Sequence, residues 1–523
     1  MLYLAFIFHM HQPYYKDLLT QESSLPWVRL HATKDYLDML QVLEKYPLVH
    51  QTFNLVPSLV EQIEDYEKDA VKDKFLEVSS KPAASLNRQE KEFLLENFFS
   101  INKERVISLF PRYYELYLKK KTEEDFKEED YRDLQTWFNL AWIDPCFRET
   151  DSELKSIVGK ARFFSEEDKQ LVLEKQLGIL KEIVSAYKKF QENGQIEVTL
   201  SPYYHPILPL LYNTNIAREA NPKAILPKPG FSYPLDCQAQ IESAVSFYKT
   251  RFARAPRGMW PSEEAVSEHI LPFIMHSGIN WIVADEAILF KSLRIKKRDA
   301  KILYQPYLLK REEGNLNIVF RDRNLSDLLG FVYHSWNTEK AVADFMRHLE
   351  IINNSLKGKD LFVAIAMDGE NAWEYYPNDG HDFLEALYQK FSDTKFLKCV
   401  SVSEYLKKFP PCAKIKRLAA GSWIYAQFGK WIGNPYKVKA WEWLAQAREE
   451  LKDWDSSDKR LAINGKRELA YKQMYILEGS DWFWWYGEEP QGHFDKLFRM
   501  HLSNFYRLIA KDPPAYLDRP LST

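Results

Sequence analysis

Carboxylates, imidazoles and indoles gather at a few points of this sequence, each at or just past a short apolar run. His9-Met10-His11-Gln12-Pro13 follows the run at 2–8. Two imidazoles two apart in extended chain point to the same side, so His9 and His11 suit a metal ion, a pair of sugar hydroxyls, or a structural pairing at a strand end. The run at 361–367 ejects Asp368 at its tip, with Glu370, Trp373 and Glu374 close behind; such a density of functional groups is hard to read as a solvated loop. In Gly258-Met259-Trp260-Pro261-Ser262-Glu263-Glu264, an acid follows a turn, beside the indole of Trp260 and at the expected start of a helix. A helix N-terminus would keep Glu263 ionised and ready to attack; a simple capping role for Glu263 or Glu264 is the plainer reading. Glu197 sits inside an apolar strand at 196–200, which is costly unless the acid is paired or used. It is either a buried salt-bridge member or an acceptor for substrate hydroxyls. His205, in a proline-framed loop, reads as functional.

Two carboxylates from separate strand ends are what glycosidic cleavage uses, one attacking the anomeric carbon or guiding water, the other protonating the departing oxygen. Indole-rich surroundings would raise the acid's pKa by desolvation. A metal-dependent amidohydrolase would also begin with His-x-His, and Asp368 could be its closing ligand, but no clear mid-barrel ligands follow. A non-catalytic glycan-binding protein would keep the aromatics and need neither acid.

The elements that must position these groups alternate. Apolar runs at 2–8, 49–55, 196–200, 281–284, 316–320 and 361–367 have the length and continuity of strands covered on both faces, with helical segments such as 238–252 between them. That predicts an α/β barrel or a doubly wound sheet. From about 60 to 190 the chain is Lys/Glu-rich with apolar residues at helical spacing, a helical insertion. After about 414 it is helical again, with tryptophans clustered at 421–448 and 478–487. The expected division is a catalytic domain at 1–395 and a C-terminal helical domain at 396–523 packed over the cleft.

With 15% aromatic residues, 15 Trp and 30 Tyr among them, flat faces for sugar stacking are plentiful, although a large core would use them too. The net charge of −3 supplies no field to gather nucleic acid or anionic lipid, and no run approaches the ~20 apolar residues of a membrane span. Four scattered cysteines, and an opening run without a basic leader or cleavage site, lead us to expect a cytoplasmic protein. Glycine (18) is scarcer than proline (26), which favours a stiff, thermophilic chain.

Taken in order, the motifs at 9–13, 194–210, 258–266, 367–373 and 423–441 resemble those of glycoside hydrolase family 57, the retaining α-glucan-active amylases, amylopullulanases, 4-α-glucanotransferases and branching enzymes. The resemblance implies an incomplete (β/α)7 barrel with a helical domain against it, Glu263 as nucleophile, and Asp368 as general acid/base. It further implies that His11, Glu197 and Glu370 contact the glucose unit being cleaved; Glu264 is the reserve nucleophile. His9 and His205 join the hydroxyl-binding set, and Trp260, Trp373, Trp423, Trp431 and Trp482 are candidate stacking walls. The motif at 258–263, the stretch at 478–485 around Asp481 and Trp482, and Trp27, Arg29 and His31 as an outer wall look most like the amylopullulanase branch, whose members cut α-1,4 and α-1,6 links with one site; the aromatic stretch could equally be a domain interface. No metal and no cofactor are expected, and the partner is an α-glucan. Bond preference, hydrolysis against transfer, and oligomeric state do not follow from the sequence.

Overall fold

The computed structural model describes residues 1–356, 358–370, 372–457, 465–488 and 492–521. At its centre lie seven parallel strands: β1 (Leu2–Met10), β2 (Gln51–Leu55), β3 (Ile196–Thr199), β4 (Gly258–Met259), β5 (Trp281–Asp285), β6 (Gly314–Arg321) and β7 (Leu361–Asp368). Their hydrogen-bonded order is β3-β2-β1-β7-β6-β5-β4. A bridge between Leu200 and Met259 brings the two edges together, so the sheet is a nearly closed (β/α)7 barrel. Every residue of β1 is buried, because helices cover the outside and side chains fill the inside.

Six of these strands are the runs legible in the sequence. The seventh, β4, was expected as a turn. It is two residues long and pressed so tightly on its neighbour that a Cβ at Gly258 would lie 2.2 Å from the Trp281 ring.

Pleating sorts the strands' side chains into layers. Tyr3, Ala5 and Ile7 of β1, Phe362, Ala364 and Ala366 of β7, and Trp281 and Val283 of β5 fill the barrel. The next inward positions along each strand are His9, Asp368 and Asp285, at the C-terminal rim. Register levels them: His9 lies opposite both Asp368 and Asn54, and Asp285 opposite Arg321.

Before β2, α1 (Leu37–Glu44) packs on the outside; between β2 and β3 the chain makes the helical insertion, including α2 (Glu128–Ala141) and α3 (Glu166–Glu192). A reciprocal capping box of Ser165 and Asp168 starts α3. After β7 come α4 (His381–Asp393) and a short strand, Leu397–Cys399, that pairs with the start of β1. The segment after 396 therefore still belongs to the barrel floor, where Val400, Val402 and Tyr405 join the interior. The C-terminal helices proper are α5 (Pro435–Ser457), α6 (Lys466–Leu477) and α7 (Gly492–Leu508). Among the described residues, no helix is long and apolar enough to cross a membrane.

Candidate active site

At the rim, His9 Nδ1 pairs with Asn54 Oδ1 at 2.6 Å, and Ser201 Oγ donates to the same oxygen at 3.0 Å. The His9 ring stacks on Trp260 (centroids 4.9 Å apart) and on His205 (5.0 Å), which stacks in turn on His11 (4.0 Å). Burial and the neighbouring His11 push His9 down to about 3, and the same causes push His205 well below the ordinary range. Both rings are neutral at physiological pH. His11 is different. Burial pulls it down too, but Asp481, 2.9 Å from its Nε2, together with Glu370 and Glu263, outweighs that and raises it. Of the three imidazoles, His11 is the one whose protonated form the surrounding carboxylates favour.

Asp368 is the last residue of β7 and opens to the cleft. Loss of bulk hydration raises its pKa, while His11 and Arg321 pull it down. Glu263 does not start a helix. It occupies a single 3-10 turn, Ser262–Glu264, in the left-handed region at φ 57°, ψ 28°, a strained conformation for a non-glycine residue. Without a helix N-terminus to favour the anion, its pKa moves opposite to the sequence-based expectation, up to about 7. Burial is the main cause, the Trp423 N–H opposes it, and Asp368 and Asp481 add to it. Glu264 points elsewhere. It is 1% exposed and 3.8 Å from Arg321, and burial, opposed by Arg321, raises it to about 8. Asp368, Asp481 and His11 are among the main charges acting on Glu263, whereas Arg321, Asp285 and Arg323 dominate at Glu264.

Two bridges bring the C-terminal region to this rim. Val266 pairs with Gly421, and Pro206 with Gly479. The first delivers Trp423, whose N–H donates to Glu263 Oε2 at 2.8 Å. The second delivers Asp481 to His11 and Ser480 to His205 Nδ1, at 2.9 Å in each case. Gly421 is required: at φ 155° its Cβ would lie 2.4 Å from the Ala426 carbonyl oxygen. Trp423 lies under the Arg321 guanidinium (5.2 Å) and stacks on Trp484 (6.3 Å).

Several expected site residues serve the scaffold instead. Glu197 pairs in register with Thr52, one layer beneath Thr199 and Asn54; it accepts from Trp281 Nε1 (3.0 Å) and from the N–H and hydroxyl of Ser403, on the barrel floor. Glu370 is 2% exposed, and its oxygens accept from the His11 backbone N–H (2.7 Å), Tyr36 (2.8 Å) and Gln12, so it anchors the loop that carries His11. Arg29 is fully buried, bonded to Asp73, Asn139 and Gln176 within the insertion. Trp27 and His31 pack against Trp142, with His31 paired to Asp35. Trp373 packs on Phe8 and Tyr376, Trp431 is 0% exposed, and Trp482 donates to the Ile476 carbonyl from within the core. These indoles are packing, not walls. Gln12 fell within the motif at 9–13 and Trp484 within the 481–485 stretch expected to offer stacking faces; Asn54, Tyr36 and Arg321 went unread. Asn54 and Arg321 had a signal, each being a polar residue at the C-terminal end of an apolar run; Tyr36 had none.

Residues 5–416 match the model of glycosyl hydrolase family 57. The chain belongs to glycosyl hydrolase family 57. Alpha-amylase 1 of Dictyoglomus thermophilum is 23% identical over 274 residues, 51% of this chain; the aligned part is only 34% of that relative's length. A family 57 branching enzyme from Thermococcus kodakaraensis superposes with a TM-score of 0.63 at 16% identity, covering 97% of this chain and 90% of the other. Alpha-amylase AmyC from Thermotoga maritima gives 0.61 at 14% identity, covering 97% and 92%. These structural likenesses establish the family 57 fold. Trp423 and Asp481 lie beyond the matched segment, which ends at 416.

Proposed function

We propose that this family 57 protein is a retaining glycosidase of α-glucans, with Glu263 as nucleophile and Asp368 as general acid/base. The observation that carries the reading is the placement of these two carboxyls, from different strand ends, close enough that the charge of Asp368 raises Glu263. Burial raises both carboxyls, and like charges in an enclosed cleft resist joint ionisation. In the reactive form Asp368 is protonated and Glu263 ionised: Glu263 attacks the anomeric carbon, the glycosidic C–O bond breaks, and Asp368 protonates the leaving oxygen. Water then adds its oxygen to the anomeric carbon, Asp368 takes its proton, and the bond to Glu263 breaks. The step needs no metal or redox partner.

His11 Nδ1, His205 Nε2 and Trp260 Nε1 are buried without hydrogen-bond partners among the described residues. Buried polar atoms of this kind are normally satisfied, and ring hydroxyls of the bound glucose unit would satisfy them. Trp423 and Trp484 would wall the cleft. Cleavage of both α-1,4 and α-1,6 links is our reading of the motif at 258–263. The four cysteines are all free, in keeping with a reducing, cytoplasmic setting.

The test is incubation with pullulan and, separately, amylose, with Glu263→Gln and Asp368→Asn as controls. Products are resolved by chromatography, and the first-formed anomer is read by proton NMR. Maltotriose from pullulan and short maltodextrins from amylose, α-anomer first and absent with both variants, support the proposal. Intact pullulan with amylose redistributed into longer and shorter chains assigns a glucanotransferase or branching activity instead. Activity undiminished in either variant overturns the catalytic assignment.

A further inference from the structure

Behind the cleft, a second group of ionisable side chains lies where the barrel meets the helical insertion. Asp38 comes from α1, Asp144 caps the short helix Pro145–Thr150 of the insertion, and His381 is the first residue of α4. One ligand atom from each lies within 4.8 Å of the others. His381 Nε2 is 2.9 Å and 2.8 Å from the two Asp144 oxygens. Asp38 is 3% exposed, and its Oδ1 is buried with no hydrogen-bond partner among the described residues. An unsatisfied buried carboxylate oxygen facing another carboxylate is too costly to leave as it stands.

The charges around Asp38 leave it the odd one out. Asp38 faces Asp35, Asp144 and Asp379 as well as Lys34. Lys34 bridges Asp35 and Asp379, His31 pairs with Asp35, and His381 with Asp144. Of these four acids, Asp38 makes no ion pair among the described residues, and its unpartnered oxygen has room for a cation shared with Asp144 and His381.

Two carboxylates and an imidazole on three separate elements suit a borderline metal rather than the all-oxygen cages of calcium or magnesium. We propose that Asp38, Asp144 and His381 bind one divalent transition-metal ion of the zinc class, which clamps the helical insertion to the barrel. The ion lies outside the catalytic cleft and takes no part in the glycosidic step. A metal ion needs its imidazole and carboxylate ligands deprotonated, so occupancy falls in acid.

The experiment uses the full chain, stripped with chelator, dialysed, and titrated with Zn2+ while metal content and melting temperature are followed. A second cluster in the cleft, His11, His205 and Asp481, could also hold a cation, so Asp481→Asn is titrated alongside. The expected result is one equivalent of zinc in wild type and in Asp481→Asn, with a melting temperature raised by several degrees, and loss of both effects in Asp38→Asn and His381→Gln. Zinc lost with Asp481→Asn, or kept by both Asp38→Asn and His381→Gln, overturns the proposal. So does a wild type that takes up no zinc and melts unchanged, in which case a shared proton occupies the pocket. Should Asp38→Asn not fold, X-ray absorption on zinc-loaded wild type decides. Oxygen and nitrogen ligation with a single imidazole upholds the site, whereas two imidazoles place the ion in the cleft and overturn it.

Discussion

Trp423 Nε1 donates to Glu263 Oε2 at 2.8 Å across 160 residues of sequence. The bond holds a strained glutamate by its outer oxygen, and the indole that makes it is itself held by the Arg321 guanidinium and Trp484. A nucleophile on a left-handed turn has few rotamers that reach the substrate; an N–H from outside the barrel selects one and lowers the carboxyl's proton affinity.

Replacing Trp423 by Phe keeps a ring but removes the donor. A hydrogen bond to a charged group is worth about 1.5–3 kcal/mol, so kcat/KM is expected to fall on the order of 10- to 100-fold, with the acidic limb of its pH profile moving to higher pH. An unchanged profile, measured with an α-glucan oligosaccharide of defined length, would remove the indole from the mechanism.

Asp481 raises His11. In Asp481→Asn the His11 imidazole is expected to titrate at lower pH, read by NMR of the labelled ring, and Glu263 loses part of its cationic support. Turnover falls while the melting temperature changes little, because Asp481 lies at the cleft and not in the core. If His11 titrates as before, the pairing carries no charge.

Stability should rise when Glu263 is neutralised. Its folded pKa of about 7 lies above the ordinary 4.5, so between those values the folded chain holds more protons than the unfolded one, and stability declines as pH rises through that window. Glu263→Gln is expected to melt above wild type at pH 8, the gain vanishing near pH 4. About 1.4 kcal/mol per pK unit sets a ceiling of roughly 3 kcal/mol, less whatever cleft water screens. Equal melting at pH 8 would contradict the raised pKa.

Glu197→Ala leaves the Ser403 N–H and hydroxyl without their acceptor on the barrel floor, and Trp281 Nε1 with Ser403 Oγ alone. Each orphaned donor costs ~1–3 kcal/mol, so the melting temperature drops, whereas KM and kcat well below it stay near wild type. A selective rise in KM would return Glu197 to the substrate site.

The barrel was legible because its strands are buried on both faces and leave unbroken apolar runs. Only β4 escaped, since two residues pressed on a tryptophan carry no periodicity. Asp368 was visible because a carboxylate at the tip of an apolar run is conspicuous; Glu263 was singled out beside Trp260 after a turn, although the helix expected to start there is a single 3-10 turn. Depth was not visible: Glu197 and Thr199 both point inward, and two residues of rise along β3 separate floor from rim. Nor could composition tell Trp423, at the cleft, from Trp373 and Trp482, in the core, because an indole serves either purpose with the same atoms.

The bridges Pro206–Gly479 and Val266–Gly421 also set a schedule for the newly made chain. All seven barrel strands have been synthesised once Asp368 is in place, yet the indole over Glu263 and the partner of His11 come off the ribosome later. At ~5–20 residues per second, the stretch from Asp368 to Asp481 takes roughly 6 to 23 seconds. Until Trp423 and then Asp481 follow, the nascent barrel carries both acids without the groups that contact Glu263 and His11. On the proposed function, catalytic competence therefore waits for the segment that carries Trp423 and Asp481, and a nick between α4 and Trp423 that lets this segment drift away would return the chain to the earlier, silent state.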